Sequence, residues 1–313
     1  MRVNLEQLQS FVTVARLGNF TRAAEQLHLA QPSLSRQISA LERDLGAVLF
    51  HRARGGSTLT AAGESLLPLA RRMLADADSV RRELAEIAGL ERGRVRLGAT
   101  PTLCISLVAE ALSVFHAAHP GIDLHLSEQG SRRLLEELAA GEVDLALITT
   151  SGGASVDRFV VAPLLVEELV VVSSSAAPPL TSNEVMRLEE VARLPQIVFS
   201  STYDLRRTTD AAFRAAGLTP ETAIEGAEMD AVLRFVERGI GVAIVPAMVL
   251  IDRPGLRSVR LAEPTLTRTI SIARTADMVP SIAVEVMQQT VARTATALAA
   301  RAGATMRLAD STA

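Results

Sequence analysis

A regular apolar seam between residues 66 and 87 constrains the fold of this chain more than any other feature. Its members are separated alternately by four and three residues: Leu66, Ala70, Met73, Ala77, Val80, Leu84 and Ile87. Three heptads of this kind are typical of a helix that packs along another helix. Pro68 lies in the first two turns, where a kink is tolerated. We therefore predict a linker helix over residues 61–92 that separates two domains.

A lone helix cannot bury this seam against itself, so the seam needs a partner. A second copy of the chain is the simplest one, and it predicts a homodimer with the seam at its interface. Packing of the seam on the chain's own C-terminal domain is the alternative. The small residues Ala70 and Ala77 would permit close approach of the two surfaces.

The charge of the chain is divided between its two ends. Residues 1–60 carry seven arginines and four acidic residues, whereas residues 93–313 carry twenty arginines and twenty-five acidic residues. A basic head on an acidic body favours contact with nucleic acid at the N-terminal end only. The single cysteine, Cys104, excludes an intramolecular disulfide and suits a reducing cytoplasm. We expect neither a signal peptide nor a membrane span, and we therefore expect a cytoplasmic protein.

The first 60 residues predict a helix–turn–helix with a wing. A helix over residues 5–18 is followed by a short one from Thr21, taken as its N-cap, to Leu27. A third helix begins at Gln31-Pro32, buries Leu34, Ile38, Leu41 and Leu45, and stops at Gly46. Its outward residues Gln31, Ser33, Ser35, Arg36 and Ser39 are types that read base edges or bind phosphate. The alternative is an ordinary three-helix bundle with a solvated face.

Two short extended segments around Gly55-Gly56 predict a β-hairpin. Arg52 and Arg54 would project from this wing toward phosphate or a narrow minor groove. The alternative is a solvated loop.

From Arg94 onward, strands alternate with helices, which predicts two α/β lobes with mostly parallel sheets. We predict strands at 94–99, 123–128, 144–149, 159–165 and 169–173, and a helix over 183–193 among those of the second lobe. Two crossings between the lobes, near 163–168 and 263–268, indicate a cleft that binds a ligand and closes on it.

Hydroxyl and amide side chains gather at the strand ends that face this cleft. The residues expected to bind an effector are Thr100, Thr102, Gln129, Thr149, Ser200, Ser201 and Thr202. Hydroxyls and free N–H groups at a helix start suit an anion or a carboxylate, so an anionic effector is one option. The alternative for each hydroxyl is a plain helix cap.

The segment FTRAAEQLHLAQPSLSRQI, residues 20–38, closely resembles the signature of LysR-type transcription regulators. Residues 41–46, 49–52 and 59–63 resemble that family too, as do the segments GEVDLA at 141–146 and GIGVAIVP at 239–246. The resemblance implies that DNA is contacted by Thr21, Gln31, Pro32, Ser33, Ser35, Arg36, Arg52 and Arg54.

The resemblance also implies an α+β multidomain fold. Residues 1–60 would form a winged helix-turn-helix, and residues 61–92 a dimerising linker helix. Residues 93–300 would form a two-lobed, periplasmic-binding-protein-like effector domain, with lobe one at about 93–165 and 267–300 and lobe two at about 166–266. We expect residues 301–313 to be a flexible tail.

The function implied is sequence-specific regulation of transcription, controlled by a small-molecule effector bound between the lobes. The expected partners are double-stranded promoter DNA, the effector, and further copies of the chain in a homodimer or, as the family implies, a homotetramer. An architectural DNA-binding protein without an effector is the alternative. We predict no cofactor, no metal site and no enzymatic activity, because no catalytic constellation is recognisable.

Overall fold

The computed structural model describes residues 3–53, 56–86, 93–150, 158–201, 203–276 and 278–309 of the 313-residue chain, apart from the side chains of residues 78–79, 81–86 and 227. The chain forms two compact units. The first comprises residues 1–89 with 136–142, and the second comprises residues 90–135 with 143–313.

The described residues between 3 and 86 of the first unit form four helices and a hairpin, and its other segment, 136–142, includes the end of a helix that begins in the second unit. The elements between residues 3 and 86 are α1 (Leu5–Leu17), α2 (Phe20–Gln26), α3 (Gln31–Leu45), β1 (Phe50–Ala53), β2 (Gly56–Leu59) and α4 (Ala61–Glu86). β1 and β2 pair antiparallel, as expected for the predicted wing. Gly18 and Gly46 end α1 and α3 in the left-handed conformation, at φ 61° and 69°, which glycine adopts without steric cost.

The start of α2 corrects one prediction. Its N-cap is Asn19, whose side-chain oxygen accepts hydrogen bonds from the backbone N–H groups of Thr21 and Arg22. Thr21 is therefore the second residue of the helix and not its cap. Asparagine caps at least as well as threonine. It also lies directly before Phe20, whose ring packs against that of Phe50.

The core of the first unit is formed by apolar residues from α1 to α4 and from the start of the wing. It contains Leu8, Phe11, Val14, Ala23, Ala24, Leu34, Ile38, Leu41, Leu49, Phe50 and Ala70. The rings of Phe11 and Phe50 lie 5.4 Å apart. Because Leu34, Ile38 and Leu41 occupy one stripe of α3, the opposite stripe faces outward.

The linker helix packs partly on this core, which revises the interpretation of the seam. Ala70 is fully buried there, and Leu66 packs at its edge. The neighbours of Ala70 thus belong to its own chain, and to its N-terminal unit. A heptad pattern reports that a stripe is buried but not which residues bury it. Met73 and Val80 remain 50% and 57% exposed, and Ala77 is half-buried. The side chain of Leu84 and residue Ile87 lie outside the described residues.

The second unit begins with a parallel three-stranded arrangement. Its first elements are β3 (Gly93–Ala99), α5 (Pro101–Leu103), α6 (Ala109–Ala118), β4 (Ile122–Glu128), α7 (Ser131–Ala139) and β5 (Leu145–Thr150). A π-helical segment, Cys104–Val108, joins α5 to α6. β3 lies between β4 and β5 and is parallel to both. Their carboxyl ends therefore meet at one edge of the sheet.

The remaining elements complete two lobes. They are β6 (Phe159–Ser174), β7 (Val185–Arg187), α8 (Leu188–Val191), β8 (Gln196–Phe199), α9 (Asp204–Ala215), β9 (Thr222–Ala227), α10 (Met229–Glu237), β10 (Ala243–Pro246), β11 (Leu256–Ala262), β12 (Thr267–Thr275), α11 (Ile282–Ala302) and β13 (Met306–Leu308). Single 3₁₀ turns cover Ala247–Leu250 and Gly303–Thr305.

One long strand, β6, belongs to both lobes. Residues 159–168 pair with β12 in lobe one, and residues 169–174 pair with β10 and β11 in lobe two. The two strands predicted at 159–165 and 169–173 are therefore one. The chain returns to lobe one between β11 and β12, where the N–H of Leu169 donates to the carbonyl of Leu266 at 2.8 Å. The two crossings lie side by side.

Two predicted segments differ from the structure. Residues 183–193 are not a single helix: β7 pairs parallel with β11 and buries Met186, and only Leu188–Val191 is helical. Pairing at a sheet edge overrides the local helix preference there. The expected flexible tail is ordered through Leu308, because β13 pairs with β6 and buries Met306 in the core of lobe one.

The stretch Pro101–Ala118 also departs from expectation. Among the described residues it is the one helical stretch long and apolar enough to span a membrane, with a mean hydropathy of 1.5. Leu103, Leu107 and Phe115 on this stretch are buried in the core of lobe one. Its apolar character thus serves the packing of helix on sheet.

Candidate functional site

The outer stripe of α3 carries most of the residues predicted to contact DNA. Gln31, Pro32 and Arg36 are exposed, and Ser33 and Ser35 are half-buried. Arg36 donates from Nε to the carbonyl of Pro32 and from Nη2 to the hydroxyl of Ser33, both at 3.3 Å. These exposed hydrogen bonds are long and therefore weak. The guanidinium can exchange them for a stronger acceptor without unfolding the helix.

Contacts beneath α3 fix the direction of this stripe. Gln37 accepts a hydrogen bond from the hydroxyl of Ser10 on α1. Glu42 accepts one at 2.9 Å from the backbone N–H of Leu49, where the chain enters the wing. Thr21, near the start of α2, is exposed. These contacts fix α3 against α1 and against the start of the wing, while the polar stripe of α3 remains accessible.

Arg52 lies closer to α3 than the sequence indicated. Its Nη1 donates to the hydroxyl of Ser35 at 3.1 Å, and its Nη2 lies 3.8 Å from the carboxylate of Glu42. The guanidinium carbon is 4.7 Å from the centre of the Phe20 ring, within range of a cation–π contact. The side chain therefore connects the wing to α3 and does not extend away from the hairpin. Arg54 lies outside the described residues.

The second unit contains a cleft with two adjacent compartments. The smaller compartment has a volume of about 300 Å³, and the larger one about 610 Å³. Thr149, Asp204, Leu205 and Arg268 line both. The walls come from both lobes: Thr149 is the penultimate residue of β5 in lobe one, whereas Asp204 and Leu205 begin α9 in lobe two. The lobe-one wall includes the strand ends that the sequence analysis had expected to converge.

Four of the seven predicted effector-binding residues line the smaller compartment. They are Thr100, Thr102, Gln129 and Thr149. Neither compartment is lined by Ser200 or Ser201. The N–H of Tyr203 donates to the carbonyl of Ser200 at 3.0 Å, and this turn brings Tyr203 and Asp204 to the cleft wall in their place. Thr202 lies outside the described residues.

A buried ion pair at the crossing of the lobes was missed by the sequence analysis. Arg268 on β12 donates from Nε to Glu167 Oε1 at 2.7 Å, and from Nη1 to the hydroxyl of Thr102 at 2.7 Å. The other oxygen of Glu167 accepts from the backbone N–H of Met248 at 3.1 Å. Arg268 lines both compartments. The one sign of this pair in the sequence was an acidic residue, Glu167, inside the apolar run of β6.

Two buried polar atoms at this place lack a hydrogen bond within the part of the chain that the structure describes. They are the hydroxyl oxygen of Thr100 and Nη2 of Arg268. The latter lies 2.7 Å from Glu167 Oε1, but its N–H groups are not aligned for a hydrogen bond. Buried polar groups in proteins nearly always have partners. Both residues line the smaller compartment, so a ligand or a water molecule bound there would supply the missing partners.

Tyr203 lines the smaller compartment, and Cys104 directly follows α5, whose Pro101 and Thr102 line it as well. The ring of Tyr203 stacks on Phe199, with ring centres 5.5 Å apart, and its hydroxyl donates to the carboxylate of Glu228. Burial raises the pKa of the Cys104 thiol to about 12, and the negative charge of Glu128 adds to this shift. Cys104 is therefore a neutral thiol and a poor nucleophile at physiological pH.

Comparison with known proteins identifies both units. A family model described as the LysR substrate binding domain matches residues 88–296, which is more than half of the chain, and one described as the bacterial regulatory helix-turn-helix protein, lysR family, matches residues 5–64. The chain belongs to the LysR family. In this LysR-type transcription regulator, the residues predicted to contact DNA lie within the helix-turn-helix match at 5–64. The residues that line the cleft lie within the substrate-binding-domain match at 88–296.

Relatives of the LysR-type regulator extend over most of its length. It is 32% identical over 273 residues to the "Probable nitrogen assimilation transcriptional activator" of Synechococcus elongatus, covering 86% of this chain and 88% of that protein. The structure of a full-length OxyR variant from Pseudomonas aeruginosa superposes with a TM-score of 0.71 at 25% identity, over 94% of this chain and 95% of that one. The structure of CbnR complexed with its target DNA has the same fold, with a TM-score of 0.65 at 24% identity, over 93% of this chain and 100% of that one.

Proposed function

We propose that this transcription regulator reads its operator through the outer stripe of α3 and that a small molecule in the interlobe cleft changes its DNA binding. The observation that carries the first part is the exposed polar stripe around Arg36 on a helix whose opposite stripe is fully buried. A helix held in this way presents fixed side chains to the major groove.

Each residue of the stripe has a role that follows from its chemistry. Arg36 donates to the O6 and N7 atoms of a guanine, and Gln31 contacts an adenine. Ser33 and Ser35 contact bases or phosphates, while Thr21 and Pro32 lie against the sugar–phosphate backbone. Arg52 keeps the wing close to α3 and adds positive charge beside the groove. Arg54 extends this charge toward the minor groove.

The exposed part of the linker helix provides the dimer contact in this proposal. Met73 and Val80 carry apolar surface that the rest of the unit does not cover. A second copy buries this surface, which gives a homodimer and, through a further contact, a homotetramer. Two paired α3 helices require an operator with two-fold symmetry and half-sites spaced by helical turns. The protein acts in the cytoplasm, where promoter DNA is accessible, and it catalyses no reaction.

The effector in this proposal contacts Thr100, Thr102, Gln129 and Thr149 from lobe one and Tyr203 and Asp204 from lobe two. In the described part of the chain, two crossings connect the lobes, at β6 and between β11 and β12. Small changes of backbone angle there allow the lobes to close on a ligand. Ligand binding thereby favours one arrangement of the oligomer on DNA over another.

Replacement of Arg36 tests the DNA-binding part. Arg36→Ala removes a base contact worth about 1–3 kcal/mol, so binding to the intergenic fragment upstream of the gene weakens about 5- to 150-fold. Arg43→Ala, in the last turn of the same helix, is the matched control and changes the affinity little. Fluorescence anisotropy with labelled DNA measures both. A Kd of Arg36→Ala equal to that of the unaltered protein, with the same melting temperature, contradicts the proposal.

A further inference from the structure

The two compartments of the cleft are lined by opposite charge. The smaller one is lined by three carboxylates, of Glu128, Asp204 and Glu228, and by one guanidinium, of Arg268. The larger one is lined by three guanidiniums, of Arg132, Arg207 and Arg268, and by one carboxylate, of Asp204. A ligand that spans both compartments thus meets a negative field at one end and a positive field at the other.

Pairing within the protein does not remove this asymmetry. Arg268 is neutralised by Glu167, and Asp204 by Arg207 at 2.6 Å. Among the described residues no ion pair joins an arginine to Glu128 or Glu228. Glu228 accepts a hydrogen bond from the neutral hydroxyl of Tyr203, which leaves its charge in place. The charge of Glu128 is felt at Cys104, whose pKa it helps to raise.

The unpartnered atoms of the cleft independently indicate a ligand. Thr100 and Arg268 are 5% and 8% exposed, and the hydroxyl of the first and Nη2 of the second have no hydrogen-bond partner within the described residues. Leaving a buried polar group without a hydrogen-bond partner is unfavourable. Both residues line the smaller compartment, and Arg268 also lines the larger one. Ligand acceptor atoms near Arg268 would remove this cost.

We propose that the effector is a zwitterion of the amino-acid class. Its ammonium group lies in the smaller compartment between Glu128 and Glu228, where charge-assisted hydrogen bonds hold it. Its carboxylate lies toward Arg268 and Arg132, and its apolar part packs on the larger compartment at Leu135, Val161 and Leu169. This inference rests on the proposed function, since it specifies the ligand of the same cleft. An anionic effector without an amine satisfies only one of the two compartments.

Thermal unfolding of the full-length protein tests the inference. The probes are the twenty proteinogenic amino acids and 5-aminovalerate, each beside an analogue without the amine and one with the carboxylate esterified. A ligand that binds the native state raises the melting temperature. We expect at least one amino acid to raise it, and calorimetry to give a Kd at least about tenfold lower than for either analogue, as one lost ion pair implies.

Glutamine variants locate the ammonium. Glu128→Gln and Glu228→Gln keep the side-chain shape, and each raises the Kd for that amino acid at least about tenfold. Glu189→Gln, exposed on α8, is the control and leaves it unchanged. An unaltered melting temperature in the absence of ligand shows that the variants are folded.

Three results overturn the zwitterion: an amine-free acid that binds as tightly as its amino acid, glutamine variants with unaltered affinity, or no shift with any amino acid. If a ligand without an amine stabilises the protein, the cleft still binds an effector and only the zwitterion fails. If nothing in a broad metabolite library stabilises it, the effector part of the proposed function fails as well.

Discussion

Arg268→Met is expected to destabilise the second unit strongly, because it leaves a buried carboxylate without its counter-charge. Glu167 is 0% exposed, and after the replacement the N–H of Met248 is its one remaining donor among the described residues. Thr102 loses its hydrogen bond from Arg268 at the same time. Breaking a buried ion pair in this way costs about 3–5 kcal/mol.

A neighbouring ion pair provides a matched control. Arg260 and Glu168 are joined by two hydrogen bonds, of 2.8 and 2.6 Å, but their side chains are 43% and 13% exposed. Water compensates for the loss of such a pair, so Arg260→Met costs at most about 1 kcal/mol. The difference between the two replacements therefore isolates the effect of burial.

Tyrosine fluorescence during urea unfolding measures the effect. The chain has one tyrosine, Tyr203, and no tryptophan, so the signal reports on the unit that contains the cleft. With a urea slope of about 2 kcal/mol per M, Arg268→Met lowers the midpoint by about 1.5–2.5 M, and Arg260→Met by about 0.5 M or less. The double variant Glu167→Leu, Arg268→Met buries no lone charge and recovers most of the loss. A shift below about 0.5 M for Arg268→Met, or a double variant less stable than the single one, refutes this reasoning.

Three further predictions follow from individual residues. Folding raises the pKa of the Cys104 thiol from 9.0 to about 12. Between these pH values the folded protein keeps the thiol proton, whereas the unfolded chain loses it. The free energy of unfolding therefore falls as the pH rises from 9 to 12. Iodoacetamide at pH 8.5 accordingly labels the native thiol more than about 100-fold more slowly than the thiol in urea, and equal rates would disprove its burial. Gly63→Ala places a Cβ 2.3 Å from the carbonyl oxygen of Leu49 and is expected to lower the free energy of unfolding by about 1–3 kcal/mol. Gly255→Ala, whose Cβ meets nothing nearer than 3.4 Å, is expected to lower it less. Denaturation followed by circular dichroism compares the two variants. Asn4→Ala removes a capping box and lowers stability by about 1 kcal/mol in the same assay, and an unchanged midpoint would show that this cap contributes nothing.

Local patterns were sufficient to predict the helices and the hairpin of the N-terminal unit. The buried stripe of α3, its proline in the first turn and its terminal glycine all act within a few residues of one another. Such features determine a helix before any tertiary contact forms. The cap at Asn19 was missed because two good capping residues stand two positions apart. Arg52 was misjudged because its partners, on α3 and at Phe20, lie far from it in the sequence.

The cleft was predicted only in outline for the same reason. Parallel strands place their carboxyl ends together, so Thr100, Gln129 and Thr149 could be brought to one site from the order of elements alone. Arg268 pairs with Glu167 across 101 positions and donates to Thr102 across 166. The periodic spacing of apolar residues does not predict a contact between residues so far apart in the sequence. The strand β13 escaped prediction because its pairing with β6 depends on a surface formed by the rest of lobe one.

The most direct test of the central claim, that α3 reads a specific operator, is sequencing of genomic DNA fragments captured by the purified full-length protein. Unaltered protein is expected to enrich a small set of fragments that share a two-fold-symmetric motif, and Arg36→Ala is expected to lose that enrichment at the same salt concentration. Equal enrichment by the two proteins, or captured fragments without a common motif, would contradict the account.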